Sequence, residues 1–204
     1  MTLIKSISGI RGTIGGKAGD NLTPEDIVKF TAAYGTLVQR KSKSRTIIIG
    51  RDARPSGSMV SAIVSNTLNA LGLNVVDVGL STTPTVEMTV VMEKAAGGII
   101  ITASHNPVEW NALKLLNKKG EFISDADGKE VLQLAEASDY TFVPVHKLGS
   151  YHLKTEYLDR HIKAILALKL VNVKAIRAAR FRVVVDAVNS SGGIAVPKLL
   201  AALG

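Results

Sequence analysis

Three short apolar runs constrain this chain more than any other feature. They are Thr46-Ile47-Ile48-Ile49 closed by Gly50, Val75 to Val78 closed by Gly79, and Gly98 to Thr102. Each is strand length, and each is separated from the next by a stretch with helical spacing. Met59, Val60, Ile63, Val64, Thr67, Leu68 and Leu71 form the clearest stripe, with Gly72 placed as its C-cap. Pro84 to Lys94 supplies a second helix. Strand, helix, strand, helix, strand predicts a parallel sheet with helices on its faces. Unbroken apolar strands fit burial on both sides.

The flanks extend this plan. Thr23-Pro24-Glu25-Asp26 is a helix start: a hydroxyl cap, a proline where no donor is needed, and acids at the positive helix end. Ile27, Phe30, Tyr34, Leu37 and Val38 continue it. After Pro107 the pattern predicts a hairpin, Ala112–Leu116 against Glu121–Ile123, then a helix from Asp125 to Ala137. Apolar periodicity lapses between Pro144 and Ser150, which places a domain boundary there. Beyond it, His152–Leu168 is expected as helix, a second helix after Asn172, Arg182–Val185 as strand and Ile194–Leu200 as helix, with Pro197 in its first turn. A β-α-β unit needs a returning strand, and none is expected before Gly204. The expected fold class is therefore α/β: a three-layer α/β/α mixed-sheet domain over residues 1–147, followed by an incomplete second α/β domain over residues 148–204.

Composition excludes several classes. The chain has 46% hydrophobic and 21% charged residues, globular values that argue against disorder. It has no cysteine, so disulfides and thiolate chemistry are ruled out. No apolar run approaches the ~20 residues that span a bilayer, and the first residues lack a signal-peptide apolar region. The expected protein is soluble and cytoplasmic, without a membrane partner. The net charge of +8 is concentrated in residues 154–182, where eight basic residues face two acidic ones. Only Tyr157 and Phe181 are interleaved there, so the stretch is read as a solvated helix face and not as a nucleic-acid surface. No G-x-G-x-x-G follows a strand, which argues against a dinucleotide site.

Open α/β sheets place their sites beyond the carboxyl ends of the strands. Three loops qualify. Gly50-Arg51-Asp52-Ala53-Arg54-Pro55-Ser56-Gly57 carries two arginines that could hold an anion, or an aspartate–arginine pair that braces the loop; both readings stand. Gly79 to Pro84 offers hydroxyls suited to capping the following helix. Thr102-Ala103-Ser104-His105-Asn106-Pro107 holds a candidate nucleophile, Ser104, and a neighbouring candidate base, His105. A serine hydroxyl needs a base or ion to activate it, and no G-x-S-x-G elbow is present. On spacing alone, an inert loop is the favoured reading.

The loop nevertheless resembles the phosphoserine loop of the α-D-phosphohexomutases, the family of phosphoglucomutase, phosphomannomutase and phosphoglucosamine mutase. Three further segments agree in order: Ser8-Gly9-Ile10-Arg11-Gly12, the Gly50–Ser56 loop, and Asn111-Ala112-Leu113-Lys114, where the family usually has glycine in place of Ala112. The resemblance implies that residues 1–147 are the family's first domain and residues 148–204 the start of its second. It implies a phosphate on Ser104 that passes to a hexose phosphate, giving a bisphosphate that turns around and returns its other phosphate to the serine. The net movement is between C1 and C6. Arg11 is then expected to steady phosphate oxygens through its planar fork, Lys114 to transfer the proton, His105 to share that task or hold the substrate, and Arg51 and Asn106 to bind phosphate or sugar. A Mg²⁺ ion is expected to bridge the Ser104 phosphate to an aspartate-rich loop absent from these residues, and a hexose bisphosphate to act as activator. The metal loop, a later sugar-recognition loop and a C-terminal phosphate-binding domain are not found, so residues 1–204 alone are expected to be inactive. A phosphosugar- or anion-binding module without turnover is the alternative.

Overall fold

A computed structural model describes residues 1–6 and 9–204. Seven strands form one sheet in the order β1-β2-β6-β5-β3-β4-β7. They are β1 (Ile4–Ser6), β2 (Gly9–Thr13), β3 (Thr46–Arg51), β4 (Asn74–Leu80), β5 (Gly97–Ile101), β6 (Trp110–Leu116) and β7 (Tyr151–Leu153). The centre is parallel, β5 beside β3 beside β4 beside β7. The other half, β5-β6-β2-β1, is antiparallel.

The helices are α1 (Pro24–Lys41), α2 (Gly57–Ala70), α3 (Thr83–Met92), α4 (Asp125–Ala137), α5 (Tyr157–Leu166), α6 (Val173–Ala179) and α7 (Gly192–Leu203). Thr23 and Asp26 close a reciprocal capping box on α1, as its first residues predict. Side chains of α1, α2 and α4 pack one face of the sheet through Phe30, Tyr34, Leu68 and Val131. Val86 and Val90 of α3 and Tyr157 of α5 pack the other, against Ile48, Val76 and Ile100. This gives the expected three layers, with the five residues of β5 buried throughout.

Several elements differ from expectation. The hairpin after β6 turns back as expected, with Asn117 N–H donating to the Glu121 carbonyl and Ile123 N–H to the Leu115 carbonyl, but its return arm, Glu121–Ile123, is a single bridge, Leu116 to Phe122, and not a full strand. His152 lies in β7, not in a helix, and that strand extends the first sheet beyond the Pro144–Ser150 stretch. Arg182–Val185 is not a strand. No neighbouring strand lies beside it among the described residues, and an apolar run without a ladder partner does not become a sheet. Pro197 sits well inside α7, past the first turn, where it forfeits one helical hydrogen bond.

Candidate active site

Ser104 lies just past the carboxyl end of β5, exposed to solvent, in the loop that returns as β6. Its backbone is left-handed, with φ of 55°, a conformation that costs a non-glycine residue about 1–3 kcal/mol unless its surroundings hold it. They do. The Ser104 amide donates to Thr102 Oγ1 at 3.2 Å, and Thr102 Oγ1 donates in turn to Asp52 Oδ2 at 2.6 Å. On the other side, the Ser104 carbonyl accepts from Arg54 Nη2 at 2.8 Å.

Arg54 makes four more such bonds. Nη2 reaches the Asn106 carbonyl at 2.7 Å; Nη1 reaches the carbonyls of Pro107 at 2.5 Å and Trp110 at 3.0 Å; Nε reaches Asp52 Oδ2 at 3.1 Å. Its side chain is only 10% exposed and that of Asp52 14%. The loop also closes on itself, Asn106 Nδ2 donating to the Ala103 carbonyl at 2.8 Å. Of the two readings of the Gly50–Gly57 loop, bracing by an aspartate–arginine pair is what the structure contains. Sequence reasoning had no means to see the extent of Arg54's role, since its partners are carbonyls brought together only by folding.

The Ser104 loop forms one wall of a cleft of about 280 Å³, lined also by Gly9, Arg11, Ala112, Lys114 and Phe122. Sheet register explains the grouping. Arg11 of β2 pairs with Ala112 of β6, and residues two apart on a strand share a face, so Lys114 stands beside them. Gly9, at φ of 129°, allows β2 to lie this close; a Cβ there would strike the Leu113 carbonyl. Ala112 has no positive φ, so its methyl group fits the strand without strain.

The expected site residues Ser104, His105, Asn106, Arg11 and Lys114 therefore line one cleft. Ser8, first residue of the arginine segment, lies outside the described residues. The Arg11 guanidinium, the His105 ring and the Ser104 hydroxyl have no hydrogen-bond or ion-pair partner among the described residues, and Lys114, without a hydrogen bond there, has its Nζ 5.9 Å from the Phe122 ring centre. Burial raises the pKa of Glu87, on α3, while the charge of Lys114 opposes that rise. No hydrogen bond joins His105 to Ser104, which leaves no serine–histidine pair of hydrolase type. Arg51 is not part of this cleft. It donates to the Asp52 carbonyl at 3.3 Å and lines a separate cleft of about 430 Å³ with Ser58, Ser61, Asp77 and Tyr151.

Such a site presents a fixed, reachable hydroxyl to an anion held by an unpaired guanidinium and an ammonium. It does not by itself suit a divalent cation. The side chains that line its cleft are cationic or neutral, the nearby Asp52 carboxylate is engaged by Thr102 and Arg54, and no cluster of three or more His, Asp or Glu side chains fit to hold a metal occurs among the described residues. Nor is any described helix long and apolar enough to cross a membrane.

Residues 3–141 match the family model described as phosphoglucomutase/phosphomannomutase, alpha/beta/alpha domain I. Among curated proteins, the chain is 36% identical over 196 residues to a phosphoglucomutase/phosphomannomutase of Thermococcus kodakarensis, covering 95% of this chain and 42% of that protein. It is 35% identical over 180 residues to a phosphoglucosamine mutase of Francisella tularensis, covering 87% and 38%. The chain thus spans about two fifths of the length of these relatives. Among solved structures, a phosphoglucomutase/phosphomannomutase family protein from Burkholderia thailandensis superposes with a TM-score of 0.67 at 22% identity, over 83% of this chain and 36% of that one. The Paramecium phosphoprotein parafusin, a phosphoglucomutase, gives 0.71 at 14% identity, over 100% and 42%. These two show a shared fold.

Proposed function

We infer, since this chain belongs to the phosphoglucomutase/phosphomannomutase family of α-D-phosphohexomutases, that it carries the phosphoryl-relay serine of an intramolecular phosphotransferase acting on a hexose phosphate. The observation that supports this most is Ser104: an exposed hydroxyl on a rigidly held loop, facing a cleft with unpaired cationic groups.

In this reading Ser104 Oγ bears a phosphate. A free hydroxyl of a hexose 1- or 6-phosphate forms the new P–O bond as the Oγ–P bond breaks. The hydroxyl proton passes to Lys114, which takes it as the neutral amine, or to His105, the other group in reach of the cleft. In the return transfer, when the Oγ–P bond re-forms, the same group gives that proton back to the sugar oxygen; the serine oxygen, which needs no proton while it bears phosphate, carries one only between the two transfers. Arg11 binds phosphate oxygens through its fork. The bisphosphate then reorients and returns its other phosphate to Ser104, so the net change is movement between C1 and C6. Phosphoryl transfer of this kind relies on positioning and charge stabilisation, which the loop and the cationic groups supply. Arg51 is left out of this scheme because it faces a different cleft. A Mg²⁺ ion would supply further charge neutralisation at the phosphate; of its ligands residues 1–204 would provide only the Ser104 phosphate.

The test is intact-mass spectrometry of the protein expressed from its natural reading frame, after treatment with hexose 1,6-bisphosphate. The expected result is a gain of one phosphoryl group that is absent in Ser104→Ala. Binding of the bisphosphate with no covalent gain, or a gain that persists in Ser104→Ala, overturns the reading; the first outcome would favour an anion-binding module. Residues 1–204 in isolation are expected to give no conversion of a hexose 1-phosphate to its 6-phosphate, and a coupled assay that detects conversion would refute that expectation.

A further inference from the structure

We propose that Arg54 is the positioning residue of the serine loop, holding Ser104 in its left-handed conformation through a guanidinium whose donors are all engaged by the loop and its brace. The proposal rests on the phosphoserine reading of Ser104. A guanidinium has five N–H groups in a rigid fork. In Arg54 there are five bonds: to the carbonyls of Ser104, Asn106, Pro107 and Trp110, and to the Asp52 carboxylate. Nothing remains to bind phosphate. Arg54 therefore acts on the reaction only through loop shape, in contrast to Arg11, which has no partner among the described residues.

The fork spans the loop from Ser104 to Trp110, gathering carbonyls that would otherwise point apart. Asp52 orients the fork and, through Thr102 Oγ1, also fixes the Ser104 amide. The peptide groups on both sides of Ser104 are thereby tied to one ion pair. Lysine keeps the charge but has a point-like ammonium with three donors, which cannot span four carbonyls and a carboxylate. The role is thus specific to arginine.

The experiment has two parts that separate this proposal from the functional reading. In the unsubstituted protein, nuclear magnetic resonance of the Arg54 side chain should show separate, slowly exchanging Nη hydrogens; a single averaged signal, as for a free arginine, would overturn the clamp. In Arg54→Lys, amide exchange at Asn106 and Trp110, which bond to Ala103 and Pro107, should rise at least tenfold while Ile99–Ile101 in β5 stay protected. Unchanged loop exchange, or equal loosening of β5, would also overturn it. Where the unsubstituted protein accepts a phosphoryl group, the rate at saturating bisphosphate should fall in Arg54→Lys by roughly a hundredfold, the scale of a small misplacement, with half-saturation little altered. A fall confined to half-saturation would make Arg54 a ligand and sink the proposal. If the unsubstituted protein takes up no phosphate, the functional reading fails, and the resonance and exchange measurements still decide for or against the clamp.

Discussion

Thr102 uses one hydroxyl twice, donating to Asp52 and accepting from the Ser104 amide. Thr102→Val keeps the shape and removes both bonds, leaving a largely buried carboxylate one partner short. Urea denaturation should show a loss of about 1–3 kcal/mol, whereas Thr102→Ser should stay within about 1 kcal/mol of the parent; equal stability of the two variants would show that the hydroxyl is idle. The same residues show what can be seen in the sequence. Ser104, His105 and Asn106 adjoin in one motif, and the arginine and lysine segments have familiar neighbours, so all are visible from the letters. That Arg54 and not Arg51 reaches the serine loop is invisible there. Arg51 ends β3 and its side chain lies toward Asp52 and Gly57, while Arg54, three residues on, opens the turn at Pro55 and Ser56. Only the path of the chain between them makes that difference.

Helix α1, packed on the sheet by its apolar face, also bonds to it through the buried Tyr34 hydroxyl. Tyr34 Oη donates to the Leu116 carbonyl at 2.7 Å, with the Gly98 carbonyl at 3.1 Å, and burial pushes its pKa far up, so it stays a donor at any working pH. Tyr34→Phe should cost about 1–3 kcal/mol. Gly97→Ala should also destabilise, because its Cβ would collide with the Tyr34 hydroxyl and press on the Leu116 carbonyl. The double variant should lose less than the sum, since removing the hydroxyl vacates part of that space; strict additivity in denaturation midpoints would contradict the packing described. Elements with a buried apolar face, such as β3, β4, β5, α1 and α2, were visible in the sequence because burial imposes periodicity. Strand β7 was not: all three of its residues are exposed, and it is held at the sheet edge by backbone pairing to β4 and by the Tyr151 hydroxyl donating to Asp77. Arg182–Val185 shows the converse, apolar enough for a strand yet without a partner, with Val184 98% exposed.

Across the molecule, α5 fastens to α3 through titrating groups. Glu93 accepts from the Tyr157 hydroxyl and pairs with Arg160 at 3.3 Å and Lys154 at 3.8 Å; these contacts hold its carboxyl below its ordinary value of 4.5. His161, whose Nδ1 lies 3.0 Å from Thr85 Oγ1, is lowered from 6.5 by burial. Both groups bind protons less readily when folded than when unfolded. Their stabilisation is therefore complete above 6.5 for His161 and above 4.5 for Glu93, and is lost as pH falls through the lower folded values. Urea midpoints should decline on acidification, and His161→Gln should flatten the upper part of that decline while Glu93→Gln flattens the lower. A midpoint that rises with acid would contradict the assignment.

The tether at Ser104 has one more implication. A loop strung between two adjacent strands, β5 and β6, and tied at its middle has no hinge on which to swing. If the serine exchanges phosphate with both ends of one sugar, the sugar must do the travelling: it must let go, rotate end over end and settle again before a stationary post. A protein built this way needs a chamber roomy enough for its guest to tumble and closed enough that it does not escape.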